Sequence, residues 1–244
     1  MTARTSPSAD LSNRARGLWG EDLAARHYRR LGYEVIEQLG WQLPDHIVAP
    51  LASGSLFTKI RKGFDEFIKV GLVEEKPVRF SGAQAEGCSP IAQAFAEGRD
   101  FITPVKPNTI AKSIAIGNPA DGPYAIDISN SSGGTISDVT DAEIIDAYKL
   151  LGSGEGVFCE PASAASVAGL LKRREEVPSG ATVVCVLTGN GLKDPTTAIE
   201  HNDSRFHTGL EPDTATVCAS GSTCTRTRSC GAMSNTGAFC KEAA

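Results

Sequence analysis

The sequence predicts an α/β fold built on a mainly parallel sheet. Three observations carry this reading. Short, uncharged, β-branched runs alternate with longer stretches of helical apolar spacing. Turns of small residues follow two of the runs. The 244 residues are 41% hydrophobic and 22% charged, the composition of an ordinary globular chain rather than a disordered one.

The elements follow in order. Ile47-Val48-Ala49-Pro50-Leu51 reads as a buried strand, and Ala52-Ser53-Gly54-Ser55 as the turn after it. Leu56, Ile60, Phe64, Phe67 and Ile68 then recur at helical spacing. A strand is expected over residues 78–82 and a helix over 90–96. Residues 138–143 open another helix, with Thr140 and Glu143 forming a T-x-x-E capping box that satisfies two orphan backbone donors. That helix should run to about Leu151. Residues 156–159 read as a short strand leading into Glu160-Pro161-Ala162-Ser163. An alanine-rich helix follows and ends near residues 172–174, with Pro178 and Gly180 beyond it. Residues 182–187 form the clearest buried strand, and Cys185 within it reads as a small buried thiol.

Charge and cysteine usage narrow the function classes. A net charge of -5, from 24 basic and 29 acidic residues, speaks against a dedicated nucleic-acid binder. No apolar run approaches the roughly 20 residues of a membrane-spanning helix. Residues 1–10 are polar, without the apolar core of a secretory signal, so a cytoplasmic setting is expected. Of seven cysteines, Cys218, Cys224, Cys230 and Cys240 crowd the C-terminal stretch with spacing C-x5-C-x5-C-x9-C. Structural zinc sites favour closer pairs, so no metal is expected there. Composition divides the chain into a basic helical segment at 1–34, an α/β body at 35–212, and a Ser/Thr/Gly/Cys-rich tail at 213–244. That tail has too few large apolar residues to offset its ordering entropy and is expected to be disordered.

Two segments carry chemistry. At residues 52–55 a strand passes through small residues into a helix start. Backbone amides and the helix N-terminus can converge there on a phosphate, although a tight connection is the plainer reading. The turn matches neither the Walker pattern nor G-x-G-x-x-G. In the second segment, Leu187-Thr188-Gly189-Asn190-Gly191-Leu192-Lys193-Asp194-Pro195, a hydroxyl residue ends a strand and glycines open the backbone. In open α/β sheets ligands sit at such carboxyl ends, and the plainer alternative is a glycine-rich surface loop.

Several stretches, in order, carry a family resemblance. They include Glu37-Gln38-Leu39-Gly40-Trp41, the turn Pro50-Leu51-Ala52-Ser53-Gly54-Ser55-Leu56, and Gln84-Ala85-Glu86-Gly87-Cys88-Ser89-Pro90. Ile116-Gly117-Asn118-Pro119 follows, then Glu155-Gly156-Val157-Phe158-Cys159-Glu160-Pro161-Ala162-Ser163-Ala164-Ala165, and the segment 187–195. Residues 35–217 thereby resemble the C-terminal half of the threonine synthase family. These are pyridoxal-phosphate enzymes of the tryptophan-synthase-β-like group, fold type II. The resemblance implies part of a fold type II large domain, a carbon–oxygen lyase by family, and conversion of O-phosphohomoserine and water to threonine and phosphate.

It also implies roles. Ala52, Ser53, Gly54, Ser55 and Leu56 match the cofactor-phosphate loop, where many members carry Gly-Asn-Ala-Gly-Asn, so binding here would rest on backbone amides. Thr188 matches the hydroxyl partner of the pyridine nitrogen. The family's Schiff-base lysine lies in a Ser/Thr-Phe-Lys-Asp-like segment of the other half, and no catalytic residue is assigned in this sequence. Phe57-Thr58-Lys59 is similar only superficially, and Lys59 reads as a solvated helix lysine. The chain alone is therefore expected to be inactive, with a phosphate- or cofactor-binding remnant as the alternative. Members of the family are typically homodimers, and sheet edges left unpaired here would favour aggregation.

Residues 13–36 resemble something else. Asn13-Arg14-Ala15-Arg16-Gly17, Gly20-Glu21-Asp22-Leu23-Ala24-Ala25-Arg26 and Leu31-Gly32-Tyr33-Glu34-Val35-Ile36 are similar to the opening helix and strand of a small restriction-endonuclease-like family. Glu21 alone cannot assemble a two-carboxylate metal site, and an amphipathic helix burying Leu23 and Leu31 is the plainer reading. A nuclease-like fragment is the second functional alternative.

Overall fold

The computed structural model describes residues 32, 34–201, 216–217 and 223–224. Four strands form a parallel sheet: β1 (His46–Pro50), β2 (Arg79–Ala85), β3 (Ile136–Val139) and β4 (Val183–Cys185), in the order β3-β2-β1-β4. Ile47 pairs with Phe80 on one side and with Val184 on the other, so β1 is central. The chain lays down β1, β2 and β3 in one direction, then returns to place β4 on the far side of β1.

Helices cover both faces. On one lie α1 (Ser55–Lys69), α2 (Pro90–Ala96) and α3 (Gly122–Ser132). They bury Phe57, Ile60, Phe64, Ile91 and Ile126 with the strand residues Ile47, Ala49, Phe80 and Ile136. Phe80 meets the rings of Phe57 and Phe64, each with centroids 5.7 Å away. Fully burying one such side chain is worth about 1.5–3 kcal/mol. On the other face lie α4 (Asp141–Glu155) and α5 (Pro161–Lys172). Ala162, Ala165 and Ala168 of α5 meet Ala83, Ala85 and Val139 of the sheet. The alanine-rich sequence reflects close approach, since a Cβ on Gly169 would stand 2.8 Å from that of Ala83.

Gln84, fully buried on β2, joins three elements. Its Oε1 accepts the N–H groups of Ile91 (2.8 Å) and Ala92 (3.0 Å) at the start of α2, and its Nε2 donates to the Leu51 carbonyl (3.4 Å). The capping box forms as expected. Thr140 Oγ1 accepts from Glu143 N at 3.1 Å and Glu143 Oε2 accepts from Thr140 N at 2.7 Å.

Several expectations are corrected. Residues 138–139 end β3 rather than opening a helix, because the N-cap is Thr140 itself. Residues 156–159 form no strand. Gly156 ends α4 in the left-handed region (φ 66°), Pro161 starts α5, and between them the one β-bridge among the described residues joins Cys159 to Asn190. The strand read at 182–187 shortens to Val183–Cys185 at the sheet edge, and Cys185 is half-buried rather than buried. Residues 34–38 are helical, not extended, and Ile36 is fully buried in the first core cluster. Helix α3 and most of β3 carried no clear pattern in the sequence, since Ser129–Ser132 and the Gly133-Gly134 pair read as loop composition.

The basic segment with Glu21, Leu23 and Leu31 lies outside the described residues, as do the side chains of Cys218, Cys224, Cys230 and Cys240. Contacts divide the chain into two units, Met1–Thr197 and Ala198–Ala244. Within the second, β5 (Thr216–Val217) and β6 (Thr223–Cys224) pair antiparallel. Among the described residues no helix is long and apolar enough to cross a membrane, and no group of three or more His, Cys, Asp or Glu side chains could hold a metal ion.

Candidate functional site

The reversal of strand order between β1 and β4 makes a topological switch point, the place where open α/β sheets leave a crevice at the strands' carboxyl ends. The loops bounding that crevice are the two segments singled out in the sequence. Val48 pairs with Cys185, and three residues beyond each stand Leu51 and Thr188. The structure thus sets the turn after β1 and the hydroxyl after β4 at the same end of neighbouring strands.

The turn is built for close approach. Gly54 is buried with φ 93°, a left-handed conformation that glycine alone adopts without strain, and it N-caps α1 with no side-chain cap. No acidic residue lies in the first turn of α1, so its positive end meets no opposing charge from its own helix. Ser53 and Ser55 are half-buried, their hydroxyls 3.1 Å apart. Ala52 packs against the second core cluster and Leu56 against the first, so their side chains anchor the turn and its offered groups are amides and hydroxyls.

One wall of the turn is Asp121. Its N–H donates to the Ser53 carbonyl at 2.9 Å, and its carboxylate accepts from the Ser55 hydroxyl. A Cβ on Gly54 would stand 2.6 Å from the Asp121 carbonyl oxygen. Nothing in the local sequence around Asp121 marked it.

Thr188 is exposed, yet its backbone is held from beneath. Ser163, fully buried in the first turn of α5, accepts the N–H of Thr188 (3.0 Å) and of Gly189 (2.8 Å), and its hydroxyl lies 3.2 Å from that of Thr188. Glu160, 4% exposed, donates its N–H to the Gly189 carbonyl at 2.9 Å. Its carboxylate accepts from Ser113 Oγ (2.7 Å) and faces Lys193 Nζ (3.6 Å). A side chain on Gly189 would overlap the Glu160 carboxylate, which explains the glycine after Thr188. Lys112 is tied to Asp194 at 3.5 Å. The hydrogen bond from Thr197 holds the Asp194 carboxyl below its usual range. Both Lys112 and Lys193 therefore have their amines directed to carboxylates. Lys59 lies on α1, half-buried, past the turn. Sequence reasoning quoted Ser163 and Glu160 inside a motif without reading their supporting roles.

The crevice thus offers amides and hydroxyls at a helix N-terminus on one side and a single braced hydroxyl on the other. Residues 16–189 match the model of the pyridoxal-phosphate-dependent enzyme family. The chain is 44% identical over 178 residues to the threonine synthase of Methanocaldococcus jannaschii, covering 72% of this chain and 44% of that protein. It is 46% identical over 181 residues to the threonine synthase of Synechocystis sp., covering 74% and 45%. The chain thus spans less than half the length of these relatives. Among solved structures it is similar in fold to a fungal L-serine ammonia-lyase from Rhizomucor miehei (TM-score 0.57, 21% identity, 68% of this chain and 51% of that one). It is also similar in fold to maize serine racemase (TM-score 0.56, 22% identity, 72% and 52%). With the family match running from before the central strand through Thr188 and Gly189, the chain belongs to the pyridoxal-phosphate-dependent enzyme family.

Proposed function

We propose that this chain holds pyridoxal phosphate at the β1–β4 crevice as part of a threonine-synthase-like active site. The single observation that carries the reading is the placement of the turn 52–56 and Thr188 on either side of the switch point. When bound, the cofactor supplies an electron sink for carbanions formed on an amino-acid substrate. The reaction that the family resemblance implies is conversion of O-phosphohomoserine and water to threonine and phosphate.

The chain's own residues bind and orient. The first-turn amides of α1 and the hydroxyls of Ser53 and Ser55 take the phosphate. Gly54 lets it approach the backbone. Thr188 presents its hydroxyl to the ring nitrogen, and a hydroxyl, unlike a carboxylate, does not hold a proton there. Ser163 and Glu160 keep the 188–189 backbone in place. The lysine that links the cofactor in this family is not matched by any residue of this sequence, so the 244-residue chain by itself is proposed to give no turnover. We place the protein in the cytoplasm, where its small-molecule substrate would be made. A homodimer, as in the family, competes with aggregation through the edge strands β3 and β4.

The test is an absorbance and fluorescence titration of the full chain with pyridoxal phosphate, alongside a threonine-release assay. Saturable cofactor binding weakened by Ser55→Ala, without threonine release, is the expected result. Binding indifferent to Ser55 and Thr188 substitutions would remove the site assignment. Steady, cofactor-dependent threonine release would overturn the inactivity.

A further inference from the structure

A second polar recess lies at the other end of the sheet. On the face covered by α4 and α5, the latter stops at Lys172, and the amino ends of β1, β2 and β3 border a cavity of about 310 Å³. Gly82, Gly133 and Gly169 leave the space. The wall is polar: His46 and Ser81 from β1 and β2, Thr135 and Ser137 at β3, and the guanidinium groups of Arg79 and Arg173. His46 opens β1 whereas the turn at 52–56 follows its end, and neither that turn nor Thr188 contributes to the cavity's lining.

Its charges do not cancel. Arg173 is matched by Glu176, with Nη2 3.0 Å from one carboxylate oxygen and Nε 3.1 Å from the other. Arg79 has no carboxylate within ion-pair distance among the described residues and donates only to the Glu176 carbonyl, at 3.4 Å. Arg79 is half-buried as a residue and lines the cavity, so its side chain brings a cation without a carboxylate partner to this recess. Of the cavity's hydroxyls, two are spent on one another and on His46. Ser81 Oγ accepts from Thr135 N (3.1 Å) and Thr135 Oγ1 (3.4 Å), which leaves its proton for His46 Nε2 at 2.8 Å. The Ser137 hydroxyl bonds no other described residue. Arg79, with no carboxylate of its own, and the Ser137 hydroxyl line one cavity whose carboxylate, Glu176, is spent on Arg173, so the recess offers donors to an oxyanion.

We propose that this cavity is a binding site for a small metabolite carrying a carboxylate or phosphate, anchored on Arg79 and separate from the crevice at the carboxyl ends of the strands. The imidazole of His46, hydrogen-bonded into the same wall, reports its occupancy.

The experiment is an NMR titration of the full chain, following the His46 ring signals (assigned with His46→Gln) with inorganic phosphate in one arm and acetate in the other. The expected result is a saturable shift of His46 with at least one anion. Arg79→Met should weaken it by about tenfold or more and Arg79→Lys by less, because an ammonium keeps the charge but loses the fork. Ser55→Ala should leave the His46 titration unchanged, which separates this site from the cofactor turn. Saturation by phosphate alone assigns a phosphate-bearing ligand, and by acetate alone a carboxylate. A His46 signal indifferent to both anions, or an affinity equal in wild type and both Arg79 variants, overturns the proposal.

Discussion

The hydroxyl of Ser163 accepts the backbone N–H of Thr188 at 3.0 Å and lies 3.2 Å from its side-chain hydroxyl. A buried residue on α5 therefore sets the position of an exposed one on the β4 loop, and it braces Gly189 N at 2.8 Å as well. Ser163→Ala leaves both amides without that acceptor. Leaving a buried donor unsatisfied costs about 1–3 kcal/mol; Thr188 is exposed and Gly189 half-buried, so the lower part of that range applies. The expected outcome is a lower denaturant midpoint together with weaker pyridoxal-phosphate binding. Thr188→Ala should weaken binding with little loss of stability. Equal effects of the two substitutions on stability would contradict the bracing role.

Gly54 is required by two separate demands. Its φ of 93° disfavours any L side chain, and the Cβ would meet the Asp121 carbonyl oxygen at 2.6 Å. Gly71 shares the positive φ, 73°, but has nothing within 4 Å of a built Cβ. Gly71→Ala is expected to cost only the conformational penalty, about 1–2 kcal/mol. Gly54→Ala should cost measurably more and reduce phosphate affinity, because the turn must open to admit the methyl group. Paired urea denaturation curves of the two variants check this.

What could be read in the sequence was whatever local periodicity decides. The apolar spacing of Leu56, Ile60, Phe64, Phe67 and Ile68 specified α1, and Thr140 with Glu143 specified where α4 begins. The turn at 52–55 was legible because a strand, small residues and a helix follow one another directly. What tertiary placement decides was not legible. Asp121 lies 66 positions from Ser55 in the chain, and only the packing of α3 beside α1 brings its carboxylate to the turn. Gln84 looks like an ordinary polar residue in its run, yet it is 0% exposed because it caps α2 and holds Leu51 at once. The strand expected at 156–159 failed for the converse reason. Its residues have strand propensity, but Val157 and Phe158 are exposed and no neighbouring strand is there to pair with them.

Asp121 opposes an anion at the turn proposed to hold the phosphate. Its carboxylate already accepts from the Ser55 hydroxyl, so an incoming phosphate must share that donor and bear the proximity of a second negative charge. Asp121→Asn keeps an acceptor for Ser55 and removes the charge. It is expected to raise affinity for inorganic phosphate and pyridoxal phosphate several-fold, and the gain should shrink in high salt. Calorimetric titration at two ionic strengths reads both effects. Unchanged or weaker phosphate binding in Asp121→Asn would mean that the carboxylate supports the turn rather than competing in it.

The pH profile of stability should fall on both sides, each for a named group. Burial, reinforced by the nearby Arg79 and partly offset by Glu176, holds the His46 imidazole below its ordinary value of 6.5. The folded state thus binds this proton less readily than the unfolded chain. The corresponding stability is present above 6.5 and is lost as pH falls through the lower folded value. Burial pushes the Cys185 thiol from 9.0 up to about 12. Here the folded state keeps a proton that the unfolded chain gives up, so this stability is complete below 9.0 and declines as pH rises towards 12. Denaturant midpoints measured from pH 5 to 10.5 should therefore plateau between the two ordinary values. His46→Gln, whose amide can still reach Ser81, should flatten the acid flank, and Cys185→Ala should reduce the alkaline flank, to which the raised thiols of Cys88 and Cys159 also contribute. In the same series the Cys185 thiol of the native chain should react with iodoacetamide far more slowly at pH 8 than after unfolding, since only the thiolate attacks and burial keeps it protonated. Rapid native-state alkylation at Cys185, located by mass spectrometry, would place that thiol in solvent and remove its share of the alkaline flank.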